Sequence, residues 1–244
     1  MSNIDVFKSH IQKNDLVNWS YRDILLIVIF LILFQFVYGF FLVVLGMSFF
    51  TEKNINLLVY ISLTQFILYF CFFVWLVFYR YKISCESLGL IKKRLILQDI
   101  LIAILSAVFL QCVFYTVSSF YPQIDGEDYL KYFDPNFVTP INIALSAIII
   151  IFLMPIVEEI FFRGILFQKL RESFKAWVAL VIQSFFFTIT HIQYFFSYYI
   201  IYIFVLGLVT GWIYHRTNNL RTAIYLHSTY NLIWFLWFIY FIKG

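Results

Sequence analysis

Seven long apolar runs, at about residues 24–50, 57–79, 95–120, 141–170, 176–193, 198–214 and 222–242, leave little polar sequence for a water-facing shell. A helix of about 20 residues crosses the hydrocarbon core of a bilayer, and each run is close to that length or exceeds it. Of the 244 residues, 63% are hydrophobic and only 12% are charged, a balance that no soluble globule of this size could bury. The expected fold is all-α: a polytopic bundle of seven transmembrane spans with a polar site inside the membrane.

The basic residues set an orientation. Lys8, Lys13 and Arg22 precede the first run, and Arg80, Lys82, Lys92, Lys93 and Arg94 follow the second. Lys169, Arg171 and Lys175 follow the fourth, and Arg216 and Arg221 the sixth, which puts thirteen on one side against Lys53, Lys131 and Lys243 on the other. The positive-inside rule then predicts a cytoplasmic N-terminus and an outer C-terminus, with the acidic loop of Asp125, Glu127, Asp128 and Asp134 outside. The polar first 23 residues and a long first run without a small-residue cleavage site predict that this helix stays in the membrane. A net charge of +4, scattered between apolar runs, excludes a nucleic-acid-binding stripe. Cys71, Cys85 and Cys112 have no paired spacing and read as buried small hydrophobes, not a disulfide framework or thiolate metal site. No repeat or linker is evident. The chain divides only into residues 1–139, a polar segment with three spans, and residues 140–244, the part that carries the polar motifs, all within one integral membrane domain.

Within the fourth run, Pro155-Ile-Val-Glu-Glu-Ile-Phe-Phe-Arg-Gly164 places two carboxylates and a guanidinium at membrane depth. Each such charge costs at least about 2.5–3.5 kcal/mol on insertion scales, so three within six residues call for a use. Glu159 and Arg163 lie one helical turn apart on one face, whereas Glu158 points about 100° away. Arg163 can hold Glu159 as a paired anion, leaving Glu158 free as a base. The same three charges could instead serve only to lock helices together. Pro155 is expected to kink the span and free backbone groups beside the site.

Two histidines share that depth. His191 ends Phe187-Thr-Ile-Thr-His191, and His227 begins His227-Ser-Thr-Tyr-Asn231, with Asn231 one turn on and on the same face. A hairpin turn near Ser173 to Lys175 puts Glu158 and His191 each roughly 23–26 Å from the turn at 1.5 Å per residue, hence level with one another. His227 enters from the same side. A lone membrane histidine is more often a helix-to-helix hydrogen-bonding group, but glutamate, two histidines and an asparagine converging at one level suit hydrolysis. Glu158, His191 and His227 could hold a divalent ion, zinc above all, with a water in the open position. Without metal, Glu158 and His191 could deprotonate water directly while His227 and Asn231 hydrogen-bond an oxyanion. No HExxH motif is present, and neither Ser184 nor Ser228 lies in a nucleophile elbow.

Glu158-Glu159 with Arg163, Phe187 with His191, and His227 with Asn231 resemble, in order, the EExxxR, FxxxH and HxxxN motifs of the CPBP family of intramembrane proteases. That family includes the type II CaaX prenyl endopeptidases and the bacterial Abi, or bacteriocin-immunity, proteins. The resemblance covers about residues 140–240, including Gly207-Leu-Val-Thr-Gly211 and Tyr214, and no motif residue is missing. It implies that Glu158 and His191 activate water, that His227 and Asn231 stabilise the oxyanion, and that Glu159 and Arg163 shape the site. The partners implied are membrane lipid and a membrane-associated peptide or protein substrate. Richness in Ile, Phe, Lys and Asn with little Ala suggests an AT-rich bacterial genome and a bacterial plasma membrane, where a peptide precursor is a better substrate than a prenylated one. The competing classes are a non-proteolytic immunity or scaffold protein and, third, a proton-coupled carrier. Asp99 and Gln111 read as helix-contact residues, and Trp19, Tyr21, Tyr79 and Tyr121 as interface anchors.

Overall fold

The computed structural model describes residues 20–30, 33, 55–86, 88–90, 97–120, 139–191 and 199–243. Most of the first run, the basic residues before Trp19 and at 92–94, the acidic loop and the aromatic run 194–198 lie outside the described residues. Every regular element among the described residues is helical. These are α1 (21–30), α2 (Ile55–Val74, continued by Trp75–Arg80) and α3 (Leu97–Ser118). Next comes α4, which runs without a break through Pro140–Ala147, Ile148–Leu153, Met154–Glu159, Ile160–Phe167 and Gln168–Ser173. It is followed by α5 (Ala176–Ile189), α6 (Tyr199–Thr217) and α7 (Leu220–Lys243).

Helices fall on all seven apolar runs. Leu97–Ser118, Ile143–Ser173 and Tyr199–Thr217 are long and apolar enough to cross a membrane. α5 is different. Its 14 residues reach about 21 Å at 1.5 Å per residue, short of a hydrocarbon core of about 30 Å. The sequence suggests a run to residue 193, but the helix closes earlier because its last carbonyls find other donors. The Phe187 carbonyl accepts from the Thr190 hydroxyl and the His191 ring, both at 2.8 Å, while the His191 N–H turns back to Thr188. α5 thus ends beside the site.

Packing follows small residues. On α3, Ala103, Ala107, Leu110, Gln111 and Phe114 form the buried stripe that meets α7, while Leu105 and Phe109 on the other side are 65% and 67% exposed. In water those would be defects; in lipid they are the ordinary outer face. The same reasoning corrects the cysteines. Cys71 and Cys112 are exposed and Cys85 is half-buried, since a thiol facing lipid gains nothing by moving inward. Gln111 does make the expected helix contact, donating from Nε2 to the Tyr230 carbonyl at 2.9 Å.

The Lys- and Arg-rich end is tied together by short-range devices. Ser20 caps α1: its hydroxyl accepts from the Asp23 N–H, and the Asp23 carboxylate accepts from the Ser20 N–H and hydroxyl. Those two donors hold the Asp23 carboxyl below its ordinary range. Tyr21 then reaches Lys169 and Ser173 at the end of α4. After α2 the chain turns through Gly89 at φ +76°, whose carbonyl accepts from the Leu220 N–H at the start of α7. Leu88 fills the space left by Gly164, where a Cβ would stand 3.1 Å from its Cδ2. Asn219 caps α7 by accepting from the Arg221 N–H.

Candidate active site

Two stretches of α4, Ile148–Leu153 and Ile160–Phe167, wind as wide π-helical turns on either side of Met154–Glu159. Such turns insert extra residues per revolution, re-aim the side chains beyond them and recur at functional sites. The segment between them carries both glutamates. Around this part of α4 stand α2, α5, α6 and α7, so the centre is built from five helices.

Glu159 and Arg163 are fully buried. The Glu159 Oε1 accepts from Arg163 Nη1 at 2.6 Å and from His227 Nδ1 at 2.8 Å. Arg163 Nη2 continues to the Gly207 carbonyl at 3.1 Å and to the Thr210 hydroxyl. The guanidinium also lies 4.8 Å from the centre of the Phe187 ring. One cation therefore joins α4, α5 and α6, while its carboxylate partner orients a histidine of α7. A carboxylate at Nδ1 fixes the tautomer, leaving the His227 Nε2 lone pair open.

Glu158 points about 100° away from Glu159, as the helical geometry requires, and meets the other side of the His227 ring. Its two oxygens stand 3.8 Å from His191 Nε2 and 3.7 Å from His227 Nε2. These are beyond direct hydrogen-bond length and suit a molecule held between the groups. His191 presents the same tautomer by another route, since its Nδ1 donates to the Phe187 carbonyl at the end of α5. Phe187 spaces the two imidazoles, with ring centroids 4.7 Å from His191 and 5.8 Å from His227. The side chains of Glu158 and His191 are 17% and 20% exposed, whereas that of His227 is 4% exposed, so access is from the Glu158–His191 side.

Of the sequence-selected residues, the structure brings Glu158, Glu159, Arg163, His191 and His227 into one continuous cluster. Asn231 is the outlier. Its Nδ2 donates to the Ile150 carbonyl in the first wide turn of α4, at 2.9 Å. Ser184 is fully buried and donates to the Leu180 carbonyl, which commits it to helix packing. Among the described residues, no three His, Cys, Asp or Glu side chains are grouped so as to hold a metal ion.

Two participants escaped the sequence reading. Gln183 is fully buried, and its Nε2 donates to the Gly207 carbonyl at 2.8 Å, the same atom that Arg163 reaches. It lies four residues before Phe187 and eight before His191, so a polar residue in that register at membrane depth was the available signal. Tyr69 of α2, half-buried on the face between Phe66 and Phe73, lies within electrostatic range of Glu158. Only the fold could reveal that, because α2 carries no motif.

Neither the comparison with curated proteins nor that with solved structures finds a match. A protein-family model does match, described as type II CAAX prenyl endopeptidase Rce1-like and aligned to residues 140–233. That span begins with α4 and ends two residues after Asn231, so it contains all seven motif residues and every helix of the site except α2. Residues 140–233 are therefore similar to the type II CAAX prenyl endopeptidase Rce1-like family.

Proposed function

We propose that the chain is an intramembrane endopeptidase of seven spans that cleaves a membrane-associated peptide or protein with a water activated by Glu158 and His191. The observation that carries this reading is the pair of imidazole Nε2 atoms facing the two Glu158 oxygens, each ring fixed from behind through Nδ1. A water between them donates one proton to Glu158 and the other to His191 Nε2, so its lone pair is left for a peptide carbonyl. As the oxygen–carbon bond forms, Glu158 takes the proton and the carbonyl oxygen becomes an anion. The second N–H of the Asn231 amide and a protonated His227 Nε2 are the donors available to that oxyanion. Glu159 at Nδ1 balances the charge of His227 in that state. Glu158 then returns its proton to the departing amine nitrogen, and the carbon–nitrogen bond breaks.

A zinc ion would draw on Glu158, His191 and His227 and would supply a water acidic near neutral pH. Among the described residues those donors are not grouped for a metal as they stand. For substrate, the family description points to lipid-modified C-terminal segments, and the composition points to bacterial peptide precursors. Both are peptides held at the membrane surface. The test is cleavage of a membrane-tethered peptide library by the purified protein beside Glu158→Gln, read by mass spectrometry with and without chelator. Wild-type cleavage that falls by at least about 100-fold in the variant is expected for loss of a general base. Cleavage that persists in Glu158→Gln removes that residue as the base, and cleavage abolished by chelator moves the water onto a metal. A folded wild type that cleaves nothing favours a non-proteolytic role.

A further inference from the structure

Asn231 stands apart from the Glu158 cluster, bonded to a backbone atom of a neighbouring helix. Backbone carbonyls inside helices are normally taken by the chain's own N–H groups, so the Ile150 carbonyl needs a reason to be available. The register of α4 supplies it. The donor that an ordinary α-turn would give Ile150 is the Met154 N–H, but in the wide turn that N–H goes back to Ile149. The donor that the wide turn would give Ile150 is residue 155, and Pro155 has no N–H. Both backbone candidates are thus removed at once. Within a membrane such a carbonyl is costly unless a side chain satisfies it, and Asn231 Nδ2 does so from α7.

We infer that Pro155 is a positioning residue of the active site: by emptying the Ile150 carbonyl it fixes one N–H of the Asn231 amide and thereby aims the other at the reacting carbonyl. Three observations meet here. An amide is nearly symmetric in shape, and only a donor–acceptor partner decides which end is nitrogen. The Ile150 carbonyl accepts but cannot donate, so it selects Nδ2 and excludes Oδ1. Planarity then fixes the second N–H of Nδ2, which is the one left over for substrate. Pro155 lies in the same segment, Met154–Glu159, that carries Glu158. This rests on the protease reading for its catalytic consequence, but not for the contact itself.

Two double-mutant cycles with Pro155→Ala and Asn231→Ala test it on the full chain in detergent, one read by thermal stability and one by kinetics. In the first, Asn231→Ala should lower the melting temperature of the wild type clearly and that of Pro155→Ala much less, because the backbone N–H restored by the proline substitution takes over the Ile150 carbonyl. In the second, Pro155→Ala should lower kcat about tenfold or more with KM within about twofold, since a misdirected donor is felt only in the transition state. In the Asn231→Ala background the same substitution should change kcat by less than about twofold. Additive effects on stability overturn the contact. Coupled stability with additive kcat overturns the positioning role. If no peptide is cleaved at all, the protease reading fails, and the stability cycle still decides whether Pro155 and Asn231 act together.

Discussion

Arg163 satisfies a carboxylate, a carbonyl, a hydroxyl and an aromatic face at the same time, and no other side chain has the planar fork to do so. Removing it leaves Glu159 buried with, among the described residues, only the His227 ring as a side-chain partner. Breaking a buried pair from one side typically costs about 3–5 kcal/mol, so Arg163→Met should lower the unfolding free energy by that order. Arg163→Lys, which keeps the charge and loses the fork, should lose a smaller part. Chemical denaturation in detergent measures both, and a wild-type midpoint for Arg163→Met would show that the pair is not supporting the fold. That the two glutamates have different neighbours was legible from the 100° rotation between adjacent helical positions. That Glu159 also orients His227 was not legible, because the contact spans 68 residues of sequence.

At the scale of elements, α5 and α6 meet through Gly207 and Gly211, spaced as small residues are when two membrane helices approach closely. A Cβ at Gly211 would stand 2.7 Å from Gln183 Nε2 and 2.8 Å from Leu180 Cδ2, and one at Gly207 would stand 3.2 Å from the Ser184 Cα. Gly211→Ala should therefore displace Gln183 from the Gly207 carbonyl and cost about 1–3 kcal/mol, the usual range for overpacking. Cleavage should fall with it, since Arg163 shares that carbonyl. A melting temperature within error of wild type would mean that the helices separate freely. The sequence singled out the Gly207–Gly211 segment, but not what lies against it, because Leu180 and Gln183 come from another helix.

For the whole molecule, the clustering of Arg80, Lys82, Lys169, Arg171, Lys175, Arg216 and Arg221 in or near the connections at one end predicts that this end faces the cytoplasm. With Cys71, Cys85 and Cys112 first replaced by serine, Lys175→Cys should react with a membrane-impermeant maleimide in inside-out vesicles and not in intact cells. The reverse pattern would invert the orientation and place access to the site from the other side. α2 and α3 lie outside the family-matched segment, yet α3 covers α7 and α2 brings Tyr69 toward Glu158. α2 thus borders the site directly, and α3 supports it through α7.

The sequence by itself determined the solvent, the helical class and the ordered set of polar residues, because hydrophobic length and helical period are local properties. It also placed Glu158 and His191 level with each other, since both distances run to one short turn. Only the tertiary structure decided which nitrogen each histidine leaves open, that α5 stops at the site, that Gln183 joins Arg163 on one carbonyl, and that Asn231 answers a carbonyl left vacant by Pro155. Each of these depends on a donor meeting an acceptor across a helix end or between helices, or on a wide turn that shifts register by one residue. Such meetings depend on three-dimensional distance, and sequence spacing does not encode it.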